Sequence, residues 1–162
     1  MPRTRPTWVL IALLLVLQTG PAQAQDARIR RLAQEVMSAP QAAMRTEAAR
    51  ALGRAGTPQG VRALRGALPQ ERSRPVRLEI LRALRAIAFL RYPGYRDALG
   101  AIADVADDAV ESDELVRLRA TEALWEAGKR DLLDPVPILS RQLGDRSQRL
   151  RLSAVEMLRK LS

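Results

Sequence analysis

One pattern is written four times in this chain, and it constrains the fold more than any other feature. In Val116-Arg117…Ala120…Ala123-Leu124 an aliphatic residue precedes an arginine, an apolar residue follows three positions on, and a leucine follows seven on. Met44-Arg45…Ala48…Leu52, Val76-Arg77…Ile80…Leu84 and Leu150-Arg151…Ala154…Leu158 keep that spacing. Apolar residues at three- and four-residue intervals mark a helix with one buried face. The arginines lie 32, 40 and 34 residues apart. A period in that range signals stacked supersecondary units, none of which buries its own apolar face alone.

Start and stop signals place the remaining helices. Asp26 to Met37 reads as a first helix, since Gly20-Pro21 is expected to break any helix before it and Pro40 ends it. The first repeat helix is expected over about Gln41–Leu52, closed by Gly53 with Gly56. Thr57-Pro58, Ser73-Arg74-Pro75, Ser112-Asp113, Asp134-Pro135 and Ser147 each offer a capping residue at a helix start. Tyr92-Pro93-Gly94, Gly128 and Gly144 supply stops, and the last helix is expected to run to Ser162. The expected fold is an all-α solenoid of helical hairpins, about eight helices in three and a half units.

The pattern resembles HEAT repeats, in the short form also found in phycobilisome lyases, within the armadillo-like α-solenoids. An acidic residue stands six before the repeat arginine at Glu71, Glu111 and Asp145, and a cap stands four before it at Ser73, Asp113 and Ser147. The first copy departs, with Ala39 and Gln41 there. The resemblance covers about residues 40–162. It implies a binding or scaffold role for another protein and carries no catalytic residue over to this chain.

Composition narrows the chemistry. With no Cys and no His, the chain has neither thiolate ligands nor the usual general base. No phosphate-cradling glycine loop or nucleophile elbow is present, and the acidic segment 104–114 lacks the register of a calcium loop. A non-enzyme without cofactor, metal or small-molecule substrate is expected.

Residues 1–24 read as a secretory signal peptide, leaving 25–162 as the repeat domain. Arg3 and Arg5 form a basic start, Trp8–Leu17 is an unbroken apolar run of ten, and Ala22-Gln23-Ala24 offers a small-x-small cleavage site. The expected location is outside the cytoplasm, periplasmic or secreted after cleavage near Ala24. An uncleaved N-terminal membrane anchor is the competing reading.

Charge and repeat position single out the candidate binding residues. Arg45, Arg77, Arg117 and Arg151 are expected to be structural, bonding loop carboxylates or carbonyls between units. Residues 25–96 hold 15 Arg against 5 acids, whereas residues 97–162 hold 10 basic and 13 acidic residues. Arg62 and Arg65, with Arg72, Arg74, Arg82, Arg85, Arg91 and Arg96, read either as a solvated arginine-rich face or as a basic surface suited to an acidic protein, an anionic membrane surface or a polyanion. Nucleic acid is disfavoured by the export signal and by scarce aromatics. Trp125 takes a place that is Gly53, Arg85 or Arg159 in the other copies. It reads equally as an interface anchor or as a cover for the Gly128 turn. On the last helix Leu150, Ala154, Met157, Leu158 and Leu161 are expected to face inward, and Leu152 and Val155 outward. That open end is expected to dock onto another protein or onto a second copy.

Overall fold

In a computed structural model, the structure describes residues 7–107 and 109–161, with 7–21 described by backbone alone. Arg3 and Arg5, Asp108 of the acidic segment and Ser162 lie outside the described residues, as do the side chains of the Trp8–Leu17 run. Among the described residues eight α-helices follow one another: α1 (Thr7–Ser38), α2 (Ala42–Ala55), α3 (Pro58–Ala67), α4 (Arg74–Phe89), α5 (Tyr95–Ala106), α6 (Glu114–Gly128), α7 (Val136–Gln142) and α8 (Gln148–Arg159). A single 3-10 turn, Leu68–Gln70, extends α3, and there is no strand among the described residues. The molecule is an α-solenoid of packed helical hairpins.

The four helices that carry the repeat arginine form one layer, with α2 against α4, α4 against α6 and α6 against α8. The second layer begins with α1 on α3 and α3 on α5, while α7 packs on α8. Between the layers lies a core of Leu, Ile, Val and Ala. The repeat leucines Leu52, Leu84 and Leu124 are wholly buried, as are Leu64, Ile80, Ile87 and Ile102. Each such side chain contributes about 1.5–3 kcal/mol on burial. Consecutive units share this core, so no hairpin closes it alone.

Local chemistry explains where the helices begin. The hydroxyl of Thr57 accepts the Gly60 N–H, the Asp113 carboxylate accepts the Leu115 and Val116 N–H groups, and Ser147 accepts that of Leu150. Asp134 takes the Val136 N–H ahead of α7. Ser73 precedes α4 without a side-chain cap bond. Its own N–H goes instead to Glu71, 2.8 Å away. Gly56 ends α2 in the left-handed region at φ 61°, its N–H bonded to the Leu52 carbonyl. The Tyr92 ring lies where a β-carbon on Gly56 would project, so both conformation and space require glycine there.

Three expectations are corrected. Gly20-Pro21 does not break the helix, since α1 is continuous from Thr7 to Ser38. A proline takes one N–H from the ladder and strains the turn before it, but the bonds on either side can continue. Gly53 does not close α2 but lies inside it, where a β-carbon would stand 2.8 Å from that of Ala83 on α4. The glycine marks a close helix approach, which in sequence looks the same as a stop. Leu161 does not join the inward stripe of α8, because the helix ends at Arg159 and leaves it 36% exposed.

Candidate interaction surface

The repeat arginines form a ladder along the α2–α4–α6–α8 layer. Arg45 donates through Nε and Nη2 to both oxygens of Glu71, at 2.6 and 3.0 Å. Its Nη1 donates to the carbonyls of Ala39 and Pro40. Arg117 repeats the arrangement: Nε and Nη2 hold Asp145 at 3.2 and 3.0 Å, and Nη1 holds the carbonyls of Glu111 and Ser112. Arg77 is a looser rung, with Nη1 on Glu111 at 2.6 Å and Nε buried without a partner. Each acid also accepts the N–H two residues ahead, at Ser73, Asp113 or Ser147. One carboxylate thus fixes its own loop and the preceding unit together.

Electrostatics follow from that geometry. Burial alone would raise the Glu71 carboxyl. The Arg45 bond, with the Ser73 N–H, outweighs it and holds the group below its ordinary range. In Asp113 burial is likewise outweighed, here by Arg74 and by the Val116 and Leu115 N–H groups, so its carboxyl is also lowered.

The face that each repeat helix turns to the next unit can be followed through the stack. Four residues after the arginine stand Ala49, Leu81 and Thr121, at 0%, 4% and 0% exposure, but Val155 on α8 is 53% exposed. One residue after it, Leu118 is 4% exposed and Leu152 is 62% exposed. The place four after the arginine is covered on α2, α4 and α6, the place one after it is half-buried at Thr46 and Leu78 and covered at Leu118, and both are open on α8. Arg151 sits at its edge, its Nη1 donating to the carbonyls of Asp145 and Arg146.

The other sequence-chosen residues lie apart from this face. Arg62 on α3 is exposed and forms no ion pair among the described residues, whereas Arg65 pairs with Asp104 of α5 at 2.8 Å. Much of the basic group is internally matched. Arg74 meets Asp113, Arg82 meets Glu79, Arg85 meets Glu126 and lies over the Phe89 ring, and Arg96 lies over Tyr95. Arg72 and Arg91, like Arg62, make no ion pair among the described residues. Trp125 is half-buried, with the Lys129 ammonium 4.5 Å and that of Lys160 5.9 Å from its ring centre. Its indole N–H is buried without a partner. Beside the Gly128 turn the packed side chain is Pro135.

Two clefts flank α4 on this layer and share Arg82. One, of about 500 Å³ between α2 and α4, is lined by Arg50, Leu90 and Tyr92. The other, of about 400 Å³ between α4 and α6, is lined by Leu78, Arg85 and Arg119. Sequence reasoning missed the pairs along their rims, above all Glu79 bridging Arg50 and Arg82. It also missed Gln142, buried on α7. The Gln142 amide donates to the Ala106 carbonyl and accepts from Thr121. Nothing in a single glutamine signals such a role.

Against known proteins, the family model for HEAT repeats matches residues 29–112, just over half of the chain. No curated protein and no solved structure matches it. The matched span stops before α6, yet the Arg117–Asp145 rung beyond it keeps the geometry of the Arg45–Glu71 rung inside it. From the matched half and the arginine ladder that runs through its stacked hairpins, the chain belongs to the HEAT-repeat family.

Proposed function

We propose that the chain is an exported, non-catalytic binding or scaffold module whose stacked helices engage another protein. HEAT repeats generally mediate protein–protein contacts and are typically non-catalytic. The observation that carries the reading for this chain is the stack itself, in which the arginine ladder joins α2, α4, α6 and α8 into one continuous layer. Export rests on the basic start, apolar run and cleavage pattern of residues 1–24. It is also consistent with where packing begins: residues 22–28 are exposed, and Ile29 is the first buried side chain among those described. Among the described residues no helix is long and apolar enough to cross a membrane.

Crosslinking the full-length protein in its own cells, with identification of the attached polypeptides, tests the binding reading. A discrete partner that persists at high ionic strength is the expected result. Recovery on anionic vesicles instead, with release by salt, would replace it with surface association through residues such as Arg62, Arg72 and Arg91. An N-terminus at Gln25 in the recovered protein is the expected sign of cleavage, and an intact Met1 would refute it.

A further inference from the structure

We propose that the cleft between α2 and α4 receives a short acidic segment of a different protein. Its carboxylates meet Arg50, Arg54 and Arg82, and an apolar side chain seats on Leu90. This rests on the protein-binding reading and names the site and the chemistry of the partner. The cleft, of about 500 Å³, has a floor of small residues. Gly53 and Ala83 let the two helices approach, and Ala86 adds no bulk above them. At one end the buried Glu79 holds two guanidiniums, Arg50 Nε on one oxygen at 3.2 Å and Arg82 Nη1 on the other at 3.1 Å. Arg50 also meets Glu47, an exposed pair that contributes little. Arg54, one turn on from Arg50, is exposed and makes no ion pair among the described residues. Three guanidiniums thus face the cleft against one buried carboxylate, whose two oxygens are already taken. An entering carboxylate meets donors that are held in place.

The other end is apolar and equally fixed. Leu90 is 61% exposed and stands beside the half-buried Tyr92 on the cleft wall. The turn between them is bonded back to α4, Arg91 N–H to the Ala88 carbonyl at 3.2 Å and Tyr92 N–H to that of Ile87 at 3.1 Å. Arg91 stands in the left-handed region at φ 52°, where glycine would carry less strain. It is exposed, so a further cation lies next to the leucine.

The two ends together select the occupant. A polyanion would match the arginines and leave Leu90 uncovered, and a flat bilayer does not enter a recess between two helices. An acidic segment bearing an aliphatic or aromatic side chain matches both. A second copy fits poorly. In its most acidic stretch Asp104, Glu111 and Asp113 are already held by Arg65, Arg77 and Arg74, and each chain carries a net charge of +9. The cleft opens along the side of the layer, whereas a repeat unit packs only against the end of its neighbour, so further stacking would not fill it.

A photoreactive benzophenone side chain at position 90 of the full-length protein, in its own cells, tests this, with position 62 on α3 as comparison. The expected result is an adduct from 90 with a different polypeptide, mapped to a segment with carboxylates beside an aliphatic or aromatic residue. A labelled synthetic peptide of that segment should bind the purified full-length protein, read by fluorescence anisotropy. Arg54→Glu should weaken the peptide about tenfold and leave a remainder that salt hardly changes. Leu90→Ser should weaken it and leave a remainder that salt releases. Both side chains are exposed, and Arg54→Gln serves should charge reversal disturb folding, which circular dichroism would show. Peptide affinities unchanged by these substitutions overturn the proposal, as do adducts from 90 only with lipid, with a second copy or with a segment lacking acids. Adducts from 62 but none from 90 would leave the protein-binding reading standing and remove this one. No polypeptide adduct from either position would remove both.

Discussion

Arg117 of α6 holds Asp145, 28 residues further along the chain, through both carboxylate oxygens at 3.2 and 3.0 Å, with the side chains only 1% and 2% exposed. Removing one member of such a pair leaves the other charged and without water. Arg117→Ala should therefore destabilise the fold by about 3–5 kcal/mol. Arg151→Ala, which removes two bonds to carbonyls and, among the described residues, no ion pair, should cost about 1 kcal/mol. Urea denaturation of the two variants measures the difference. Equal losses would mean that the buried pair does not join α6 to α8.

Leu84 and Leu124 occupy the same repeat position on α4 and α6, and both are wholly buried. Truncation of either to Ala should cost about 2–5 kcal/mol, the lost transfer energy plus the cavity left behind. Thermal or chemical unfolding gives the value. A loss of less than about 1 kcal/mol at either site would contradict the shared core drawn through the layers.

Gly53 and Gly100 are both helical glycines and should respond in opposite directions to Ala. At Gly53 the new β-carbon would stand 2.8 Å from that of Ala83 and 3.0 Å from its Cα, both on the neighbouring helix. Gly53→Ala should thus force α2 and α4 apart and lower stability by about 1–3 kcal/mol. At Gly100 nothing lies within 4 Å, so Gly100→Ala should stabilise α5 by about 0.5–1 kcal/mol through helix propensity alone. Melting temperatures that fall for the first variant and rise for the second are the expected outcome. A rise for both would dismiss the close approach.

The fold was legible because its unit is repeated. Any one of the stretches at Arg45, Arg77, Arg117 and Arg151 is an ordinary amphipathic helix, and only their common spacing identifies a stack. Caps were legible where a hydroxyl or carboxylate reaches its own helix, as at Thr57, Asp113 and Ser147. Pairings between units were not. The sequence places Arg65 and Arg62 in one basic group, but among the described residues Arg65 alone of the two pairs with Asp104, 39 residues further along. Gly53 and Gly56 look alike in sequence. The backbone at φ 61° separates one as a terminus, and the approach of Ala83 marks the other as a contact. The α8 face was legible in part, since Leu152 and Val155 fall off the inward stripe. That Arg151 keeps the carbonyl bonds of Arg45 and Arg117 emerges only from comparing the three.

Acid should loosen the stack through Glu71 and Asp113. Both carboxyls are held below their ordinary values of 4.5 and 3.8 because arginine and N–H bonds outweigh the effect of burial. Between those values and the lower folded ones the unfolded chain binds more protons than the native one, so stability rises with pH there. Their contribution is fully present above about pH 5.5 and is lost as pH falls through the depressed native values. Urea midpoints measured from about pH 7 down to about pH 2.5 should therefore be level at first and then decline. Glu71→Gln should lower the midpoint at neutral pH and make the acid decline shallower, since the substituted side chain has no proton to take up. An acid slope equal to that of the unsubstituted protein would show that the Arg45–Glu71 rung contributes nothing to the pH dependence of folding.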